Sequence, residues 1–172
     1  MTKNILLTGR PGVGKTTVVM RVVGELRGRV PVSGFYTEEI RSGGVRKGFR
    51  VVTLDGREGI LSHVDIKGGP RVGKYGVDLE SFERLAVPEI DPDRTGAKVI
   101  VIDEIGKMEC LSGSFREAVL KALNSGSNVL ATIALKGGDY LRSIRGRNDV
   151  EIIEVSAGNR DRLHELLTER LI

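Results

Sequence analysis

Tryptophan and glutamine are absent from the 172 residues, cysteine occurs once, and aromatic residues make up only 4 %. The lone Cys110 excludes an internal disulfide and leaves no cysteine spacing that would frame a metal knuckle. With so few aromatic rings the chain lacks stacking platforms for single-stranded nucleic acid. No stretch of lysine and arginine is longer than two residues, so a solvated basic tail is also missing. The longest apolar runs, such as Val99 to Ile102, fall far short of the roughly 20 residues a membrane span requires. Met1-Thr2-Lys3-Asn4 leads directly into a strand-like segment without an apolar signal core, and the expectation is a cytoplasmic protein without a membrane anchor.

What is present is ordinary for a globular chain. Hydrophobic residues make up 40 % and charged residues 29 %, a balance that excludes intrinsic disorder and fibrous structure. The length suits one domain over residues 1–172, large enough to bury a core without staples. A formal charge of +4 suits phosphate-bearing ligands; it permits nucleic acid without supporting it. A monomer is the simplest expectation.

Alternation of strand and helix patterns sets the fold class. Residues 3–8 read as a buried strand and Gly9 to Gly14 as a loop. Val18, Val19, Val22, Val23 and Leu26 then recur at helical spacing through Arg27. Residues 32–64 differ. Val32 to Arg41, Gly48 to Leu54 and Gly59 to Val64 read as three strands joined by Ser42-Gly43-Gly44 and Asp55-Gly56, an antiparallel meander. Residues 66–76 read as loop with a short strand near Val72 to Tyr75. Asp78 caps a helix over 79–86. The second half predicts strands at 98–103, 128–134 and 150–155. Helices follow at 113–124, 139–143 and from Asn159, as cap, to Leu171. Near-continuous apolar strands between helices mean a mostly parallel sheet covered on both faces, with the meander inserted or attached.

The strongest chemical signal is Gly9-Arg10-Pro11-Gly12-Val13-Gly14-Lys15-Thr16, followed by Thr17, a complete phosphate-loop (Walker A) pattern between a strand and a helix. Glycines allow successive backbone N–H groups to face a phosphate, and the helix N-terminus adds its dipole. Lys15 then reaches the β- and γ-phosphates, and the Thr16 hydroxyl ligates magnesium. Residues Val99-Ile100-Val101-Ile102-Asp103-Glu104 form an apolar strand ending in two acids. Asp103 takes the Walker B position in the magnesium shell. Glu104 faces the other side of the strand end, where a carboxylate can activate water as general base. Ile105-Gly106-Lys107-Met108-Glu109 continues the segment: Gly106 would let the backbone pass close to nucleotide, Lys107 is a candidate phosphate contact and Glu109 a candidate acid behind the metal ligands or the water, and each reads equally well as structural.

Further positions carry paired readings. Thr132 is either a sensor of the γ-phosphate or a buried threonine bonded to backbone. Arg142, Arg145 and Arg147 offer an arginine finger or a solvated basic edge. Asn159-Arg160-Asp161 lies where phosphate-loop folds contact the base, or serves as a helix cap. Tyr36 and Phe49 are base-stacking candidates or core beneath the meander.

In combination these motifs resemble the THEP-type, or cancer-related, nucleoside triphosphatase family. Gly9 to Thr17, Gly34 to Glu39, Gly48 to Val52, Val72 to Asp78, Asp103 to Glu109 and Asn159 to Asp161 carry the likeness over nearly the whole chain. The resemblance implies a RecA-like phosphate-loop NTPase fold and slow, magnesium-dependent hydrolysis of several nucleoside triphosphates. It also implies nucleotide contacts along Gly9 to Thr16 and Val99 to Gly106. Rival readings are a small-molecule or nucleoside kinase, a nucleic-acid-stimulated ATPase and a regulatory GTPase. The last lacks a guanine-reading Asn-Lys-x-Asp segment, and Glu104 beside Asp103 argues against the kinase.

Overall fold

The computed structural model describes residues 3–172. Its strands, among the described residues, join one sheet of nine. β1 (Asn4–Thr8) leads through the glycine loop into α1 (Lys15–Leu26). β2 (Val32–Ser42), β3 (Val45–Thr53) and β4 (Glu58–His63) form the meander. A two-residue β5 (Arg71–Val72) and β6 (Tyr75–Val77) extend it before α2 (Leu79–Ala86) and a four-residue α3 (Pro92–Thr95). β7 (Val99–Ile105), α4 (Gly113–Leu123), β8 (Asn128–Ile133), α5 (Asp139–Arg145), β9 (Glu151–Glu154) and α6 (Leu163–Leu171) complete the chain.

The sheet order is β5-β6-β4-β3-β2-β7-β8-β1-β9. Pairing is parallel from β2 to β9 and antiparallel from β2 outward to β5. β8 therefore stands between β1, which carries the phosphate loop, and β7, which carries the acids. The meander is no separate unit. The first four residues of β2, Val32 to Phe35, pair with β7, and the same strand runs on from Phe35 against β3. Gly43 and Gly44 close that hairpin with φ of 58° and 76°, the left-handed pair that a two-residue hairpin turn requires.

Strand alternation divides the core. On one face Leu6, Ile100, Ile102, Val129 and Ala131 pack under α2, α4 and α5 together with Phe35, Phe82 and Phe115. The three rings meet edge to face, with centroids 5.1–6.0 Å apart. On the other face Ile5, Leu7, Val99, Val101 and Leu130 pack under α1 and α6. This explains how an α1 rich in valine, a modest helix former, is held: its valines are buried against the sheet.

Three sequence expectations shift. β3 begins at Val45, ahead of Gly48, because the glycine turn is tighter than expected. The segment around Val72 is a two-stranded hairpin. The last helix starts at Leu163, and Asn159 is not its cap. The Asn159 side chain accepts from the Ser156 N–H at 2.9 Å and donates to the Glu154 carbonyl at 2.8 Å, closing the turn after β9. Among the described residues no helix is long and apolar enough to cross a membrane.

Candidate active site

The phosphate loop occupies residues 9–14 at the carboxyl end of β1. Gly12 and Gly14 have φ of 78° and 112°, a region that side-chain-bearing residues rarely enter. Gly14 is also the N-cap of α1, and no side chain caps that helix. Its first-turn N–H groups are thus left for an anion, with the helix dipole behind them. Lys15 Nζ donates to the Gly9 carbonyl at 2.7 Å and folds across the loop. Arg10 and Pro11 are exposed, whereas Val13 and Thr16 are half-buried.

Asp103 is the hinge between the two motifs. It lies on the α1 side of β7, in phase with Val99 and Val101. The Thr16 hydroxyl donates to its Oδ2 at 2.8 Å and the Thr132 hydroxyl to its Oδ1 at 2.6 Å. Thr132 comes from β8, the strand between the two motif strands, and its hydroxyl bonds to Asp103 in place of the backbone. Burial pushes the Asp103 carboxyl above the usual aspartate value, opposed by the two hydroxyls and by Lys15.

At Glu104 the strand register breaks. Ile102 pairs with Ala131, yet Ile105 pairs with Ile133, leaving one extra residue on β7. The bulge returns Ile105 to the face of Ile100 and Ile102 and turns Glu104 out of strict alternation. Burial raises the Glu104 carboxyl, the Asp103 charge raises it further, and Lys15 lowers it. A carboxylate poised above its usual range can accept a proton from water. Val99, Ile100, Val101, Ile102 and Ile105 are fully buried in the two cores. They aim the acids and offer a ligand no surface. Gly106 is likewise buried, and it leaves room for carboxylates where the sequence had suggested nucleotide. A β-carbon there would lie 2.6 Å from Glu104 Oε1 and 2.9 Å from Glu109 Oε1.

Three cavities surround this centre. A 270 Å³ cavity beside the loop is lined by Gly12, Val13, Gly14, Thr17, Val18, Arg21, Arg160 and Asp161. Arg160 Nη1 donates to the Val13 carbonyl at 3.2 Å, so the turn after β9 grips the phosphate loop. A 400 Å³ cleft by Thr16, Thr17 and Arg21 holds Tyr36 and Glu38. The third, 360 Å³, opens on Glu104, with Thr37, Arg46, Phe49, Leu61, Tyr75, Lys107, Met108 and Glu109 among its walls.

Of the aromatic candidates, Tyr36 stands near the phosphate loop. Phe49 packs edge to face on Tyr75, centroids 5.9 Å apart, with the Arg46 guanidinium 5.1 Å from its ring. Arg46 also donates to the Tyr75 hydroxyl at 2.9 Å. Sequence reasoning passed over Arg46 and Tyr75, since only the meander's pairing brings them to Glu104. The three candidate finger arginines are occupied: Arg142 by Asp139, Arg145 by the Ala134 and Leu135 carbonyls, and Arg147 by Asp149 and Asn124.

The chain is similar to known proteins over nearly its whole length. The chain is 45 % identical over 165 residues to a nucleoside-triphosphatase THEP1 of Thermotoga maritima, covering 95 % of this chain and 93 % of that one. It is 46 % identical over 177 residues, with the same coverage, to the human cancer-related nucleoside-triphosphatase. The crystal structure of THEP1 from the hyperthermophile Aquifex aeolicus superposes with a TM-score of 0.88, covering 99 % of both chains at 39 % identity. The solution structure of a human cancer-related nucleoside triphosphatase gives 0.82 at 43 % identity, covering 99 % of this chain and 97 % of that one. The NTPase family model matches residues 4–168, and the chain belongs to that family.

Proposed function

We propose that the protein hydrolyses nucleoside 5′-triphosphates, with little preference among bases, to the diphosphate and inorganic phosphate in a magnesium-dependent reaction. The reading rests on one observation: Thr16 Oγ1 and Asp103 Oδ2 meet at 2.8 Å beside the phosphate loop, with Glu104 at the next position. Two adjacent oxygens of an octahedral magnesium at 2.0–2.1 Å stand about 2.9 Å apart, so the pair fits that ion. Among the described residues no group of three His, Cys, Asp or Glu could hold a metal. The ion would therefore be held with the substrate's own phosphates, and it supplies neutralisation of their β- and γ-oxygen charge.

The chain's groups divide the rest of the work. Loop N–H groups and Lys15 bind the phosphates. Glu104 takes a proton from water as the water oxygen bonds to the γ-phosphorus, and the bond from that phosphorus to the bridging oxygen breaks. The nucleoside diphosphate departs with that oxygen. The base is read as lying in the cavity of Arg21, Arg160 and Asp161. A guanidinium stacks on any base, which agrees with broad specificity. Every group invoked sits on one chain, so we read the working unit as a monomer.

Phosphoryl transfer to an organic hydroxyl is the second reading, favoured by the 360 Å³ cavity on Glu104. One assay separates the two. Phosphate release is measured from ATP, GTP, CTP and UTP without an acceptor, with magnesium and with excess chelator. Hydrolysis requires release from several nucleotides, abolished by the chelator. Tight nucleotide binding without release would favour transfer.

A further inference from the structure

The mechanism leaves a buried carboxyl unused. Glu109 opens the short 3-10 turn Glu109–Leu111 that follows β7 and is 5 % exposed. That turn brings its carboxyl back beneath the strand end. Its Oε1 and that of Glu104 converge on the space a Gly106 side chain would fill, at 2.9 and 2.6 Å from the missing β-carbon. The charged and ionisable groups around it are Glu104, Asp103, Arg46, Tyr75, Lys107 and, at the next residue, Cys110. Among the described residues no cation forms an ion pair with Glu109, although Arg46 and Lys107 line the same cavity.

Burial without a paired cation favours the neutral form of a carboxyl, because desolvation penalises the charge. Ionised, it would also set a third negative charge beside Asp103 and Glu104, where a polyanionic phosphate must bind. Neutral, it keeps an acceptor oxygen for the backbone N–H groups of Glu104 and Glu109 and gains an O–H donor. Burial and the Glu104 charge accordingly push its carboxyl well above the ordinary glutamate value.

We propose that Glu109 serves as a positioning residue, holding the Glu104 backbone and carboxylate across the gap at Gly106 in the orientation that accepts a proton from water. The proposal rests on Glu104 being the general base. Glutamine at 109 preserves both an acceptor and a donor without a titratable proton, whereas leucine preserves bulk and offers neither.

The test compares steady-state phosphate release, nucleotide binding and thermal melting for Glu109→Gln, Glu109→Leu and Gly106→Ala. Glu109→Gln should retain most of the turnover. Glu109→Leu should lose roughly 10- to 100-fold in kcat with KM within about twofold, the loss expected when a reacting group moves by about 1 Å. Gly106→Ala keeps both acids but wedges a methyl between them, and should lose kcat in the same way. It decides the matter if the leucine variant fails to fold. A Glu109→Leu or folded Gly106→Ala variant with wild-type kcat overturns the proposal, as does equal loss in the Gln and Leu variants.

The Glu104→Gln single variant and its double with Glu109→Leu separate the two levels. A dead Glu104→Gln, unchanged by adding Glu109→Leu, is the expected pattern. An active Glu104→Gln would refute the base assignment and with it this proposal. A dead Glu104→Gln beside a fully active Glu109→Leu would refute this proposal alone.

Discussion

Replacing Thr132 by valine removes one oxygen from the centre of the molecule and little else. Thr132 is fully buried, and its hydroxyl donates to Asp103 Oδ1 at 2.6 Å. Valine has the same shape and the same liking for strands, so packing in β8 should persist. What is lost is a hydrogen bond to a charged group, worth about 1.5–3 kcal/mol. At about 2–4 °C per kcal/mol for a domain of this length, the melting temperature should fall by roughly 3–12 °C.

The pH dependence gives the test its sign. The Asp103 carboxyl is raised in the folded protein because burial outweighs Thr132, Thr16 and Lys15. Between its unfolded value and that raised value the folded form holds a proton that the unfolded form releases, so stability falls as pH rises through the raised pKa. Removing Thr132 withdraws support from the ionised form in particular and pushes the carboxyl higher still. The deficit of Thr132→Val relative to wild type should be largest near pH 8 and should shrink as the pH is lowered towards 4, because protonation of the folded carboxyl removes the charge that the hydroxyl supports. Melting followed by circular dichroism across that range measures it. A deficit independent of pH, or none at pH 8, would refute the assignment of Thr132 as the donor that supports an ionised Asp103.

Two further substitutions probe other links. Arg160→Ala removes the grip on the Val13 carbonyl and the guanidinium in the loop-side cavity. It should raise KM for ATP, GTP, CTP and UTP by a similar factor of about 3 to 10, and a rise confined to one base would contradict stacking as the mode of recognition. Phe82→Ala opens the cluster of Phe35, Phe82 and Phe115, all fully buried. It should cost about 3–5 kcal/mol in chemical denaturation.

Local chemistry made much of this legible in the sequence. The phosphate loop, the two acids ending β7 and the alternation of buried strands with amphipathic helices are written in contiguous residues. Pairing across the sheet is not. That β8 lies between the two motif strands decides that Thr132 meets Asp103, and no spacing announces it. The bulge at Glu104 follows from the register of β7 on β8, so Gly106 is read from sequence as room for a ligand when it is room for two carboxylates. Asn159 shows the limit of residue-type rules. An asparagine before a helix suits a cap, but here its amide is spent on the turn behind it. Arg145 and Arg147 resemble free cations in sequence, yet main-chain carbonyls and Asp149 engage them.

The central claim is that Glu104 activates water at a bound triphosphate. It is tested most directly by single-turnover phosphate release from magnesium-ATP by wild type and Glu104→Gln, with nucleotide affinity measured on the same samples. The glutamine variant should bind ATP within a few fold of wild type while losing roughly 100-fold or more in the release step, the usual reach of general-base catalysis. Release at the wild-type rate, with binding intact, would contradict the account.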